Sequence, residues 1–415
     1  MNGHRMTLSS DLRSPANQAG MRARNKWSVV QTLLEEGALS QADISRRTGL
    51  SRTTISSLVA ELKAIRLVID TDTPRLGGAA HAGRPGLLLT IDDSAGAAVG
   101  VDFGHRHVRV AVANLAHVVL AERAHAVDVK GDPHELMTLA ARIVVEVLAE
   151  AGVEHSRVLG VGVGLPGPID RERGMVGSAS ILPAWADIPA AAEMSRLLGL
   201  PVELDNDSNL GALAEAVRGA GQGCSHVAYV KAATGICVGL VIDGQLYRGA
   251  DGTAGELGHI VVAESGPMCY CGNRGCLETL VGGPAITELL RHAHGEQLDL
   301  DAILRKAADG DLACQRALAD VGRQMGKAIA IYCNLVNPRR VVIGGTLSLA
   351  GELLLAPLRD SMRQHTLQLS TRTVDVVPAE LGDRAEVLGA LTMILRAADG
   401  ELASRLQATV EVAGS

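Results

Sequence analysis

Gly255-Glu256-Leu257-Gly258-His259, followed ten residues later by Cys269-Tyr270-Cys271-Gly272-Asn273-Arg274-Gly275-Cys276-Leu277-Glu278, is the chemically densest stretch of the chain. One histidine and three cysteines are ligand types that zinc prefers, and C-x-C-x4-C folds a loop back on itself where Gly272 and Gly275 permit the turns. Four protein ligands, His259, Cys269, Cys271 and Cys276, leave no open coordination position, so the expected Zn2+ is structural and not hydrolytic. A redox cysteine pair fits less well, because it leaves the third cysteine and the upstream histidine without a task. Fixing the metal also fixes Glu256 and Glu278, three residues before His259 and two after Cys276, relative to one pocket.

Upstream of this stretch the pattern alternates. Residues 227–231, 236–242 and 245–247 read as strand, turn, strand, turn, strand, with Ala233-Thr234-Gly235 as the first turn. The same unit stands earlier at 97–103, 107–114 and 118–124, with turns at Gly104 and Leu115-Ala116, then a helix near 133–151 and a strand at 157–163. Two such units predict a duplicated α/β domain that closes a cleft between its lobes. The expected boundaries are 97–206 for the first lobe, completed by 385–405, and 207–384 for the second lobe with the zinc site.

The first ninety residues are different in kind. They carry a net charge of +5 against −12 for the remainder, a basic head on an acidic body, which suits a polyanion-binding module attached to something else. Residues 1–22 lack an apolar period and read as a disordered tail, and residues 23–92 read as a winged helix-turn-helix domain. Trp27, Val30, Leu33 and Leu34 recur at helical spacing until Gly37; Ser40 and Asp43 open a short helix that Gly49 closes; Ser51 opens a third, striped by Ile55, Leu58, Val59 and Leu62. With that stripe inward, Gln41, Ser51, Arg52, Thr53, Thr54, Ser56 and Ser57 are the candidates to face a major groove. Segments 67–69 and 87–91 read as the strands of a wing, with Arg84 at its tip a candidate for phosphate or minor-groove contact.

The body resembles the ROK family of bacterial repressors, open reading frames and sugar kinases. Besides the His/Cys stretch, the motifs are Gly162-Val163-Gly164-Leu165-Pro166-Gly167, Leu182-Pro183-Ala184-Trp185, Asn206-Asp207-Ser208-Asn209, and Asn337-Pro338-Arg339-Arg340 leading to Gly344-Gly345. The resemblance spans about residues 97–400 and, with the N-terminal module, is to the repressor branch of xylose, N-acetylglucosamine and glucose regulators. It implies a two-lobed, actin/hexokinase-like α/β fold, the same four zinc ligands, and a sugar held by residues matching Asn206, Asp207, Glu256, His259 and Glu278. In the family's kinases the residue matching Asp207 is the general base.

The nucleotide side departs from that pattern. Where kinases read Asp-x-Gly-Gly-Thr-Lys, this chain has Asp102-Phe103-Gly104-His105-Arg106-His107; where they read Gly-Thr-Gly-Ile-Gly-Gly-Gly, it has Ala233-Thr234-Gly235-Ile236-Cys237-Val238-Gly239. Side chains then crowd backbone amides that would cradle phosphate. Ile181 also replaces an Asn that many relatives carry before Leu-Pro-x-Trp, which removes one polar contact from the ligand. The expectation is a regulator without catalysis that binds double-stranded operator DNA and a small sugar or sugar derivative as a homodimer or homotetramer. The competing expectation is an active ATP-dependent sugar kinase with an accessory N-terminal domain.

Bulk properties bound the alternatives. At 415 residues the chain exceeds one ordinary core. One Phe, four Tyr and two Trp are too few to build a base-stacking surface for single-stranded nucleic acid. Lys231 interrupts the longest apolar run, and the first twenty residues lack the apolar centre of a signal peptide, so a cytoplasmic protein with no membrane partner is expected.

Overall fold

The structure, a computed structural model, describes residues 15–65, 67–71, 87–92, 95–177, 181–368 and 373–397. The N-terminal module contains α1 (Pro15–Glu36), β1 (Leu39–Ser40), α2 (Gln41–Thr48), α3 (Arg52–Ala64), β2 (Val68–Thr71) and β3 (Leu88–Ile91). Ser40 caps α2 by accepting from the Asp43 amide while the Asp43 carboxylate accepts from the Ser40 amide, and Gly49 ends the helix at φ 71°. Ser51 caps α3 through the Thr54 amide. Ile55, Leu58, Val59 and Leu62 are buried with Val29, Val30, Leu33 and Ile44. Each such side chain contributes roughly 1.5–3 kcal/mol by leaving water. The strands pair in the order β1-β3-β2, so a two-residue strand that the sequence pattern does not announce completes the wing sheet.

One boundary is corrected. The first helix starts at Pro15, ahead of the helical spacing that begins at Trp27 and inside the expected tail of 1–22. Proline suits the first helical turn, and Arg22 ties this part of the helix to α3 by pairing with Glu61 and donating to Ser57 Oγ at 2.7 Å. Arg84 and the rest of 72–86 lie outside the described residues.

The body consists of two five-stranded sheets with one topology. The first contains β4 (Ala97–Gly104), β5 (His107–Asn114), β6 (Val119–Ala126), β7 (Val158–Leu165) and β10 (Val202–Asn206), ordered β10-β7-β4-β5-β6. The second contains β11 (Val227–Ala232), β12 (Ile236–Ile242), β13 (Gln245–Tyr247), β14 (Arg340–Gly344) and β15 (Asp375–Pro378), ordered β13-β12-β11-β14-β15. In each sheet an antiparallel three-strand meander is extended by two parallel strands. The small pair β8 (Ile169–Asp170) and β9 (Met175–Val176) stands apart. Helices α4 (Pro133–Ala151) and α5 (Ala190–Leu198) cover the first sheet. The second packs on α7 (Glu278–Val281), α8 (Gly283–His294), α9 (Leu300–Ala308), α10 (Leu312–Val336) and α11 (Glu352–His365). Among the described residues no helix is long and apolar enough to cross a membrane.

Helix α6 (Asp207–Arg218) holds the lobes together, running from the end of β10 across β11 and β12. A final helical stretch over 385–397 lies against the first sheet, where Gly100 faces Val387 and Leu391 and Gly162 faces Ala390. Gly389 and Gly239 allow α6 to be gripped on two sides. A Cβ on Gly389 would sit 1.9 Å from the Leu210 carbonyl oxygen, and one on Gly239 2.1 Å from that of Ser208. Gly389→Ala must push backbone from backbone, so we expect a loss of at least about 1–3 kcal/mol, read as a lower urea midpoint, whereas Gly160→Ala, whose Cβ would meet nothing closer than 3.4 Å, should shift far less.

Candidate functional site

The junction of β10 and α6 delivers the first polar residues. Asn206 caps α6: its Oδ1 accepts from the Ser208 and Asn209 amides at 2.9 and 3.3 Å, and its Nδ2 donates to the Gly167 carbonyl at 2.7 Å. One amide hydrogen of Asn206 is left for a ligand. The next residue, Asp207, is 5% exposed; its Oδ1 accepts from the Ser208 amide at 2.7 Å and its Oδ2 from Lys231 Nζ at 2.8 Å. Lys231 also reaches Glu386 Oε1 at 2.8 Å. Burial opposes the lysine's charge, but Asp207 and Glu386 outweigh it and hold the ammonium protonated well above the usual lysine range.

Asp207 and Glu278 lie within electrostatic reach of Glu256, and His259 Nε2 stands 3.8 Å from Glu256 Oε2. Glu278 Oε2 accepts from the Ile236 amide at 3.1 Å, which sets this carboxylate at the turn between β11 and β12. Burial, reinforced by the charges of Asp207 and Glu278, raises the Glu256 carboxyl to about 7. His105 comes in from the opposite lobe, where burial pulls its imidazole below the usual value although Asp207 pulls it up. The five residues expected around a sugar therefore converge, and their carboxylates give that pocket a negative field.

A hairpin carries the four candidate metal ligands. Isolated bridges pair Val261 with Cys276 and Met268 with Arg274, and Gly272 and Gly275 turn the chain at φ 92° and 69°. Donor atoms of His259, Cys269, Cys271 and Cys276 all lie within 4.8 Å of one another. His259 Nδ1 stands 3.5 Å from Cys269 Sγ, and Cys271 Sγ 3.6 Å from Cys276 Sγ. Those separations fit the edges of a tetrahedron around one zinc-sized ion, about 3.5–3.8 Å for Zn–N and Zn–S bonds of ordinary length. The other ring nitrogen, Nε2, meets the Tyr270 hydroxyl at 3.2 Å and points toward Glu256 Oε2 at 3.8 Å. His259 thus joins the metal cluster to the pocket.

Beside this pocket is a cavity of about 1090 Å³, walled by Gly104–His107, Lys231, Thr234, Leu298–Asp301, Gly345, Thr346 and Glu386. None of the five expected sugar residues lines it; Lys231, bonded to Asp207, stands at the border. His107 Nε2 meets Asp102 Oδ2 at 2.8 Å, and its ring lies so near Gly104 that a Cβ there would be 2.3 Å from Cε1. Arg106 reaches across the cleft to Asp301 at 3.0 Å. Asp102 Oδ1 is buried and has no hydrogen-bond partner among the described residues.

On the N-terminal module Gln41, Ser51, Arg52, Thr53, Ser56 and Ser57 are exposed, and Thr54 is half-buried. Three of these hydroxyls have local work: Ser51 and Thr54 bond each other at 2.8 Å in the cap, and Ser57 accepts from Arg22.

A family model described as the ROK family matches residues 98–397, most of the chain. The chain belongs to the ROK family. A second model, the MarR family, matches residues 22–75, the helical part of the winged module. A putative xylose repressor from Caldicellulosiruptor sp. (strain Rt8B.4) is 31% identical over 392 residues, which is 91% of this chain and 97% of the relative. A glucokinase from Thermotoga maritima is 32% identical and covers 96% of its own length, but only 71% of this chain. Among solved structures, a ROK family transcriptional regulator described as a homologue of the Escherichia coli MLC protein superposes with a TM-score of 0.77 at 26% identity, covering 94% of this chain and all of its own.

Within the ROK body, sequence reasoning missed Lys231 as a site residue, together with Glu386 and the Arg248–Asp205 pair, in which Arg248 Nε donates to Asp205 at 2.7 Å. Lys231 did leave a signal: a charge within an otherwise apolar strand is either an edge or a buried partner. Glu386 left none, because its lysine comes from another lobe.

Proposed function

We propose that this ROK protein is a sugar-responsive transcriptional repressor of carbohydrate-metabolism genes, in which a ligand in the interlobe pocket alters operator affinity. The single observation that carries this is the fusion itself: an exposed recognition face on α3 precedes a ROK body, and repressor relatives align over both parts while the kinase relative stops at the body. The relative named as a xylose repressor suggests a pentose or hexose as ligand. Asn206, Asp207, Glu256, His259 and Glu278 would hold its hydroxyls, and a structural Zn2+ on His259, Cys269, Cys271 and Cys276 would hold three of those residues in place. Two winged modules in a homodimer or homotetramer would read a near-palindromic operator, with Gln41, Ser51, Arg52, Thr53, Thr54, Ser56, Ser57 and Arg84 as the contact set.

Catalysis is disfavoured on the same page of chemistry. Asp207, which matches the kinases' general base, accepts from the Ser208 amide and from the Lys231 ammonium, and a substrate hydroxyl must compete with that ammonium for the carboxylate. His107 packed on Gly104 occupies the turn where phosphate would approach.

Gel-shift titration on promoter DNA with and without a panel of pentoses and hexoses tests the reading. Operator affinity should fall by about 10³-fold or more between 50 and 200 mM salt if six or more phosphates are contacted, and one sugar should change it at fixed salt. Arg52→Ala should weaken operator binding by about 1–3 kcal/mol. Salt-insensitive or absent DNA binding refutes the proposal, and ATP turnover of ordinary enzymatic size with any of the sugars favours the kinase.

A further inference from the structure

Separate from the His/Cys hairpin cluster, the end of α8 meets the start of α10. His294 occupies the last turn of α8, which Gly295 closes at φ 70°, and Asp311 is the N-cap of α10 with Cys314 in its first turn. Three donor atoms from these residues lie within 4.8 Å of one another. His294 Nε2 is 3.5 Å from Asp311 Oδ1 and 3.7 Å from Cys314 Sγ. A hydrogen bond between imidazole and carboxylate would settle near 2.9 Å, so 3.5 Å is a poor one. Two ligands of a tetrahedral zinc stand about 3.3 Å apart for N and O and about 3.6 Å for N and S, which the observed pair matches to within about 0.2 Å. The hairpin cluster in the same molecule shows the same kind of spacing, 3.5 Å between His259 Nδ1 and Cys269 Sγ.

We infer that His294, Asp311 and Cys314 form a second metal site for a borderline transition cation, zinc by the nature of its donors, which clips the end of α8 to the start of α10. Imidazole nitrogen, thiolate sulfur and carboxylate oxygen together suit zinc better than magnesium or calcium, which want oxygen alone. Cys314 is fully buried and His294 and Asp311 are partly so, which shields the site from bulk solvent. Binding displaces the thiol proton of Cys314 to solvent as the sulfur–metal bond forms.

The placement gives the clip a consequence. Between its ligands runs the segment that supplies Leu298, Asp299, Leu300 and Asp301 to the wall of the 1090 Å³ cavity, and Asp301 is the partner of Arg106 across the cleft. A cation that pins both ends of this segment shortens the loop that α9 must order and steadies the cleft wall. The site stands independently of the repressor reading.

The test is the metal content of the full-length protein. After stripping with chelator and reloading with excess zinc, followed by gel filtration, the wild type should retain one more equivalent per chain than His294→Ala or Cys314→Ser. Cys276→Ser is the control for the hairpin and should lose a different equivalent, so failure of one site is read separately from failure of the other. Cobalt titration supplies a second readout: the thiolate-to-metal absorption assigned to Cys314 should be missing from Cys314→Ser and at least a hundredfold harder to saturate in His294→Ala. Far-UV circular dichroism confirms that His294→Ala, at a helix end, is folded. Equal zinc content and equal cobalt spectra in wild type and His294→Ala overturn the inference.

Discussion

Cys276→Ser is expected to abolish sugar binding, lowering affinity at least about 100-fold, while operator binding in the absence of sugar persists. Cys276 is completely buried, and its backbone pairs with Val261 to close the hairpin. Burial, with Cys271 and Cys269 alongside, pushes its thiol up to about 12. Without a cation it is therefore a neutral thiol, and the loop has no cross-link between His259 and the cysteines. The damage spreads to the pocket through the chain. Leu277, the next residue, is fully buried, and Glu278, the one after, sets its carboxylate on the Ile236 amide. At the other end His259 Nε2 faces Glu256 and Tyr270. Three of the five residues proposed to hold the sugar thus lose their mutual geometry in one substitution. The winged module packs Ile44, Ile55, Leu58 and Leu62 in one cluster with body residues such as Ala98, Ala111 and Val387, and no hairpin residue belongs to that cluster, so the module's fold does not depend on the hairpin. Calorimetry with sugars and gel shift with operator DNA, run on the same preparation, separate the two effects. Unchanged sugar affinity in Cys276→Ser would show that the metal loop does not organise the pocket.

How much of this was legible in the sequence follows from the range of the interactions. Helices α2 and α3 were readable because Ser40, Asp43, Gly49 and Ser51 act within four residues of themselves. The His/Cys hairpin was readable for the same reason, since its ligands sit at a spacing that geometry restricts. Strand β1 was not, because two residues carry no period and owe their state to β3. The start of α1 was hidden because residues 15–22 carry no apolar period, and the Arg22–Glu61 salt bridge joins segments far apart in the chain. Of the site, the resemblance supplied Asn206, Asp207, Glu256, His259 and Glu278, and the structure added that Asn206 spends most of its hydrogen bonds on capping α6. The lysine that ties up Asp207, the orphan oxygen of Asp102 and the cluster at His294 depend on segments far apart in the chain. No local pattern announces them.

Lys231→Met is expected to destabilise the protein by about 3–5 kcal/mol at neutral pH, the usual cost of leaving buried charge without its partner. Lys231 is bonded to Asp207 and Glu386 at 2.8 Å each, and Asp102, nearly fully buried, adds its own field to the same group. Burial already raises the Glu386 carboxyl, and Lys231 is the main influence opposing it. Remove the ammonium and that opposition goes, so the carboxyl rises further and prefers to be protonated. The sign of the pH dependence follows. A carboxyl raised above its unfolded value stabilises the fold fully below that value, near 4.5, and loses the contribution as pH climbs through the raised folded value. Between pH 7 and about 5 the variant should therefore regain stability relative to wild type, measured as the difference in urea midpoints at each pH. Glu386→Gln placed in the same chain should recover part of the loss at pH 7, because it removes one of the unpaired charges and keeps the volume. A Lys231→Met variant as stable as wild type at pH 7 would mean that water reaches the three carboxylates and that the ion pairs contribute little. The variant also separates the two obstacles to kinase chemistry proposed above. It frees Asp207 Oδ2 but leaves His107 packed on Gly104 and Arg106 paired with Asp301. If the phosphate turn is the second barrier, ATP consumption in the presence of sugar should stay at background although the base has been released.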